Sequence, residues 1–250
     1  MAFYRNPLRV FLEKEVKWVR ADVLDLGLEA RKTIVGCDVI IHLAGQLGSF
    51  DRKCKAVNVE GTRNILEAIN KNKAVVFVFF SSIDAFGMTG GQVVDEKDIE
   101  RPDSFYGESK LEAERLIRSY AAENKNFKFV ILRLGNVDME EVLLKFRRAP
   151  VLKKLFAGSE LGVVRMSRVL SILLRVIERS EYRNLTRFLT EKTVSVGGSR
   201  SFFWQMISGL LVMVMRRVGR GGLWFYLLMG GSEKPYRRYS DKIFEELNLR

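Results

Sequence analysis

Residues 74–80, AVVFVFF, are an unbroken apolar run between Lys73 and the pair Ser81-Ser82. A run this short, rich in valine and phenylalanine and without polar alternation, is expected of a parallel strand covered on both faces. Similar runs are VKWVR (16–20), DVIIHLAG (38–45) and FKFVILRL (127–134). Helical patterns lie between them. LGLEARKTIV (26–35) reads as a short helix. In 56–72, Val57, Ile65, Leu66 and Ile69 recur with the helical period. SFYGESKLEAERLIRSYAAEN (104–124) is an amphipathic helix with Ser104 as its N-cap. Strands alternating with helices imply βαβ units, and hence an α/β fold with a doubly wound parallel sheet.

The pattern weakens after Gly135. Helices are expected at 140–148, 167–180, 203–217 and 240–247, with a short strand near 193–196 and glycine pairs as turns. This change divides the chain into a core, 1–138, and a small, mainly helical C-terminal part, 139–250. Charge is distributed unevenly as well. Residues 1–150 carry 24 Lys and Arg against 22 Asp and Glu, whereas 151–250 carry 18 against 8, so most of the +12 belongs to the last hundred residues. With 47% hydrophobic and 29% charged residues, the chain has a globular balance, not a disordered one. A single histidine, His42, excludes His-rich metal sites, and no metal is expected. Cys37 and Cys54 make neither a disulfide framework nor a CxxC pair, which suits a reducing, cytoplasmic location. The N-terminus lacks the apolar run of a signal peptide. The longest apolar stretch, Phe202–Met215, has 14 residues and is interrupted by Gln205 and Ser208. A spanning helix needs about 20, so this stretch suits an interfacial helix better.

Chemistry concentrates at Tyr106-Gly107-Glu108-Ser109-Lys110. Tyr and Lys four apart on a helix share a face. An adjacent ammonium stabilises phenolate and draws the tyrosine pKa down, making Tyr106 a candidate acid/base and Lys110 its tuner. An exposed helical pair is the plainer alternative. Ser81-Ser82 follows the apolar strand at its carboxyl end, where ligands bind in open α/β sheets. A hydroxyl there either holds a substrate oxygen or caps a turn. HLAG (42–45) ends another strand in small residues that permit close ligand approach. Asp22 ends a third, either to accept from an adenine amine or to cap a helix.

In this order, ADVLD (21–25), HLAG (42–45), NVEGTRNILEA (58–68), SSIDAFG (81–87), PDSFYGESKLEAE (102–114) and LRLGNV (132–137) resemble the extended short-chain dehydrogenase/reductase family, the NAD-dependent epimerases and dehydratases. The resemblance covers 15–138 and implies a Rossmann-like core. It implies that Tyr106 is the catalytic acid/base, that Lys110 binds the nicotinamide ribose, and that Ser82 holds the reacting oxygen while Ser81 is structural. Asp22 and Val23 would contact adenine, Leu43, Ala44 and Gly45 would line the cofactor, and Asn136 would face substrate. Asn58 would brace the sheet and His42 would be a strand-end residue. Phe86 stands where the family often has a substrate-side tyrosine.

The family's opening strand and glycine-rich phosphate loop have no counterpart in these residues. AFYRNP looks like the end of the second strand. In the strand order 3-2-1-4-5-6, the missing strand would leave two apolar edges. Three explanations are expected: a start further upstream, a fragment, or loss of ordinary dinucleotide binding. The cofactor is expected to be NAD or NADP; Arg5 either accommodates a 2′-phosphate, which favours NADP, or is an ordinary surface arginine. Residues 202–231 combine Phe202, Phe203, Trp204, Trp224, Phe225 and Tyr226 with Arg216, Arg217 and Arg220. That suits an anionic substrate, a membrane surface or a solvated helix face; no nucleic-acid motif accompanies it. The resemblance implies epimerase or dehydratase chemistry on a nucleotide sugar. A reductase or dehydrogenase of a hydrophobic ketone or alcohol is the second reading. A degenerate, non-catalytic binding or scaffold subunit is the third. A homodimer and peripheral membrane contact through 202–231 stay open.

Overall fold

The computed structural model describes residues 2–4, 18–47, 53–87, 93–94, 97–138, 160–178, 184–190, 192–195 and 238–239. The principal sheet has four parallel strands: β3 (Val39–His42), β4 (Val75–Ser82), β6 (Phe127–Leu134) and β9 (Leu185–Leu189), in the spatial order β3-β4-β6-β9. Chain order and spatial order agree, as expected when each crossover returns to the neighbouring position. Before β3 lie β1 (Ala2–Tyr4), β2 (Trp18–Arg20) and helix α1 (Gly27–Gly36). Between β3 and β4, a helical turn α2 (Lys53–Lys55) runs through a π-turn (Ala56–Glu60) into α3 (Gly61–Glu67). After β4 come a 3₁₀ turn (Ile83–Ala85), β5 (Val93–Val94) and α4 (Phe105–Glu123).

The expected double covering is seen residue by residue. Alternate side chains of a strand face opposite sides of the sheet. Phe77, Phe79, Phe129 and Ile131 join Ile34 of α1, Ile65 of α3 and Ile117 of α4 in one apolar cluster. Val78, Val130 and Leu132 point the other way and pack with Val169, Ile172 and Val176 of α5 (Met166–Glu178). With both faces buried, every position along β4 favours an apolar side chain, which explains the unbroken run.

β1 and β2 pair in parallel as a separate two-stranded sheet. Among the described strands, β3 pairs with β4 alone, and Ile41 on it is 38% exposed. The β1–β2 pair and the principal sheet are two of the four sheets that the described strands form.

Beyond residue 138 the described residues form one helix, α5, and four strands: β8 (Glu160–Val164), β9, β10 (Lys192–Ser195) and β11 (Arg238–Tyr239). α5 and β10 fall close to the expected helix and strand. β9, from LTRFL, escapes the sequence pattern because it is an edge strand with polar Thr186 and Arg187 at its centre. It pairs with Val130–Leu134, so the principal sheet draws on residues from both sides of position 138. β8 pairs antiparallel with β10 and parallel with β7 (Asn136–Val137). The expected helices at 140–148, 203–217 and 240–247 lie outside the described residues, as do Arg5 and the aromatic-basic stretch 202–231. No helix among the described residues is long and apolar enough to cross a membrane.

Helix α4 begins where expected. Ser104 has extended backbone, and its hydroxyl accepts from Gly107 N at 3.0 Å. Gly107 is required by close approach: a Cβ there would lie 2.2 Å from the backbone oxygen of Asp84. The absence of a side chain lets the helix start rest on the 3₁₀ turn. Gly107→Ala is expected to cost about 1–3 kcal/mol through overpacking against backbone that cannot swing away. Gly36→Ala, where a Cβ meets nothing within 4 Å, should be neutral or slightly stabilising. Urea unfolding of the two variants beside the parent checks both.

Candidate active site

Three strand ends and one helix start converge. β4 ends in Ser81-Ser82 and turns at once into the 3₁₀ segment, with the Ser82 hydroxyl accepting from Asp84 N at 3.1 Å. β3 ends at His42 and passes into Leu43-Ala44-Gly45. β6 ends at Leu134, followed by Gly135 and Asn136. The first turns of α4 carry Tyr106 and Lys110 to this edge. Tyr106 makes a side-chain hydrogen bond with Ser82. Lys110 Nζ donates to Phe80 O at 2.6 Å and lies 4.2 Å from the centroid of the Phe79 ring. A Cβ on Gly45 would sit 3.8 Å from the same nitrogen, so Lys110 also borders the β3 loop.

The electrostatics differ from the sequence expectation. Tyr106 is pushed up to about 12, first by burial and then by the Asp84 carboxylate; the Ser82 hydrogen bond pulls the other way. Lys110 is pushed down to about 8 by burial, with Glu114 partly opposing. The expected lowering of the tyrosine pKa by its lysine is therefore not present here. The ammonium is turned to the Phe80 carbonyl and the Phe79 ring, and the charge that acts on Tyr106 is that of Asp84. In this state Tyr106 holds its proton at neutral pH.

The other candidates fall into two groups. Leu43, Ala44 and Gly45 are exposed at the carboxyl end of β3, open to a ligand. Asp22 is half-buried, and its Oδ1 accepts from Leu24 N at 3.0 Å in a local turn. Val23 lies against α3: its carbonyl accepts from Asn64 Nδ2 at 2.9 Å, and its Cγ2 would be 2.6 Å from a Cβ on Gly61. Asn136 is half-buried, with Nδ2 donating to Gly162 O at 3.1 Å. Several residues are structural. Asn58 is buried and ties the β3 loop to α4: its Oδ1 accepts from Gln46 N at 2.8 Å and its Nδ2 donates to Ser109 Oγ at 2.8 Å. Ser81 is buried and donates to Glu114. Phe86 is buried edge-to-face on Phe188.

His42 is also buried, beside Phe77 and Phe79, and is pushed down to about 3 by burial and by Lys110. Thr62 Oγ1 donates its one proton to Asn58 O at 2.6 Å. In its 3.0 Å bond with Thr62, His42 Nε2 is therefore the donor.

A buried ionic group beneath the site escaped the sequence analysis. Arg133 Nε and Nη2 donate to Glu114 at 3.0 and 2.7 Å, and Nη2 also reaches Glu100 at 2.7 Å. Arg118 Nη2 donates to Glu114 at 2.8 Å. One signal was available: Arg133 is a charge in an otherwise apolar strand, and Glu114 lies four residues past Lys110 on the same helix stripe. Asp138, at φ 49°, accepts from Met166 N through Oδ1 at 2.9 Å and so starts α5; no local pattern announces it.

Fold and site together are those of a doubly wound α/β protein with serine, tyrosine and lysine gathered at the carboxyl edge of its sheet. The chain belongs to the NAD dependent epimerase/dehydratase family, whose profile matches residues 4–139. It is 29% identical over 146 residues to a human dTDP-D-glucose 4,6-dehydratase, a match covering 54% of this chain and 40% of that protein. It is 35% identical over 138 residues to a UDP-glucose 4-epimerase of Erwinia amylovora, covering 52% and 41%. The chain thus spans about two fifths of the length of the curated relatives it matches. Among solved structures, a UDP-glucuronic acid 4-epimerase from Bacillus cereus, in complex with UDP-glucuronic acid and NAD, superposes with a TM-score of 0.67 at 18% identity, covering 94% of this chain and 76% of that one. The likeness confirms the fold.

The single histidine gives a clean test of the interior. With a folded pKa of about 3 against about 6.5 unfolded, only the unfolded chain takes up this proton as the pH falls below 6.5. Stability is constant on this account above pH 6.5 and falls by about 1.4 kcal/mol per pH unit below it. Glu114, whose pKa is held low chiefly by Arg133, stabilises above the ordinary carboxylate range and adds loss only below about pH 4.3. Between pH 6.5 and 5, urea titrations should therefore show a loss of roughly 2 kcal/mol that His42→Gln removes. A parent protein with no slope in that window would contradict the buried neutral imidazole.

Proposed function

We propose that this chain carries NAD(P)-dependent epimerase/dehydratase-type oxidoreductase chemistry on a nucleotide sugar. The observation that carries the reading is the Tyr106–Ser82 hydrogen bond at the carboxyl end of β4, with Lys110 one helical turn further along and facing the β3 loop. The family's NAD dependence and the sugar-nucleotide epimerases and dehydratases among its similar proteins support the substrate class.

The residues present suit a dinucleotide along this edge. The Leu43-Ala44-Gly45 loop is exposed, and a side chain at Gly45 would crowd Asn58 Oδ1 at 3.3 Å and meet Lys110 Nζ in ordinary contact at 3.8 Å. A bare backbone there leaves room for a flat ring system. Asp22 and Val23 would hold the adenine end, and Leu43–Gly45, Tyr106 and Lys110 the nicotinamide end. When bound, NAD(P) supplies a hydride acceptor and donor.

Tyr106 exchanges a proton with the substrate hydroxyl or carbonyl oxygen. Ser82, already in hydrogen-bond contact with the phenol, holds that oxygen in line. Burial keeps Tyr106 protonated at neutral pH, so donation to a carbonyl oxygen is its resting competence; removal of a proton from an alcohol requires a cation brought close to the phenol. Lys110, one turn along α4 and with a pKa of about 8 still mainly an ammonium at neutral pH, would supply it by leaving the Phe80 carbonyl that it binds here. Asn136 presents its side-chain oxygen to substrate, its amide nitrogen being bound to Gly162 O.

Tyr106→Phe should reduce turnover of a UDP- or dTDP-sugar by at least about 100-fold, while calorimetric NAD(P) affinity changes little. Ser82→Ala should reduce turnover less. Turnover retained in Tyr106→Phe would refute the assigned acid/base, and absence of NAD(P) binding up to millimolar concentration would remove the catalytic reading of this chain.

A further inference from the structure

Directly across the β4–β6 ladder, Ser81 is paired with Arg133, and the next rung pairs Ser82 with Leu134. Both members of the first rung bind one carboxylate. Ser81 Oγ donates to Glu114 Oε1 at 2.6 Å, and Arg133 clasps Glu114 with two nitrogens, at 3.0 and 2.7 Å. Glu114 and Arg133 are fully buried. Glu114 belongs to the same stripe of α4 as Tyr106 and Lys110, spaced four and four. Arg133 also holds Glu100, in the segment that leads into α4. One ionic group therefore ties the last rungs of two strands to the helix that carries the site and to the chain just before it.

Stability is a poor explanation for such a group. Burying two charges costs solvation that their attraction only roughly returns, and well-packed apolar residues of similar size are often as stable or more so. Direction is what the group adds. Apolar packing tolerates a helix that slides or rolls slightly, whereas a bidentate guanidinium–carboxylate pair with a serine donor on the same oxygen does not. Adjacent strand residues face opposite sides, so anchoring Ser81 also sets the direction in which Ser82 leaves the strand.

We infer that Glu114, held by Arg133 and Ser81, is a positioning residue: it locks α4 to the ends of β4 and β6 so that Ser82 meets Tyr106. This deepens the proposed function and rests on the reading of Ser82 and Tyr106 as its working pair, but its test needs no turnover.

The full chain is labelled with 3-fluorotyrosine, whose more acidic phenol titrates in a range a fold can survive. The Tyr106 fluorine resonance is identified by its absence in Tyr106→Phe. Ser82→Ala sets the scale, since loss of that hydrogen bond raises the midpoint of Tyr106. Ser81→Ala, which removes one neutral hydroxyl, and the double variant Glu114→Leu with Arg133→Met, which removes both fully buried charges and leaves their partners Arg118 and Glu100 at partly exposed positions, should both move the midpoint upward by at least half the Ser82→Ala shift, with parental circular dichroism. Parental midpoints in folded variants would overturn the positioning role. If the double variant does not fold, Ser81→Ala decides alone. If Ser82→Ala itself leaves Tyr106 unmoved, the Ser82–Tyr106 pairing falls, and this inference with it. Shifted midpoints in a chain that turns over no nucleotide sugar would keep the positioning role and refute the proposed reaction.

Discussion

Everything in the structure is arranged around one constraint: β4 has neighbours on both edges and helices on both faces. Its backbone groups are paired with β3 on one side and β6 on the other. Phe77 and Phe79 face one helical layer and Val78 the opposite one. A strand enclosed in this way leaves polar side chains to gather where the chain enters and leaves it. Ser81 and Ser82 occupy that exit. The first serves the interior by binding Glu114, and the second meets Tyr106.

The same enclosure sets the electrostatics. Burial raises the tyrosine and lowers the lysine, so each drifts toward its neutral form. His42 is driven further, to a neutral donor locked onto Thr62. Glu114 is the exception. Burial opposes its charge, yet Arg133, Arg118 and Ser81 together hold its pKa below the ordinary value. The charged group is thus one layer below the site, and the groups at the site are weakly charged. In the proposed reaction that order would suit proton exchange at Tyr106, because the fixed charges hold geometry while the other groups stay free to change ionisation state.

Much of the fold was legible because its signals are local. The continuous run before Ser81, the helical period in 56–72 and the Ser104 cap each report a preference of a few neighbouring residues. The Tyr106–Lys110 spacing likewise places both on one helix face whatever else happens. What was not legible depended on partners distant in the chain. β9 is a strand because the exposed edge of β6 accepts it, although LTRFL has mixed polarity. Arg133 is tolerated in an apolar strand because Glu114 and Glu100 reach it from a helix and a loop. Phe86 is buried in the core because Phe188 of β9 packs edge-to-face on it.

The sequence by itself determined the α/β alternation, the strand that is covered on both faces, and which tyrosine, lysine and serine could share a site. Only the tertiary structure decided their protonation and their pairing. The ammonium of Lys110 goes to a carbonyl of β4 rather than to Tyr106, and the carboxylate of Asp84 acts on the phenol instead. Spacing along a helix defines a face. Burial and the charges brought in by other elements decide what that face does, and both arise only when strands and helices are packed together.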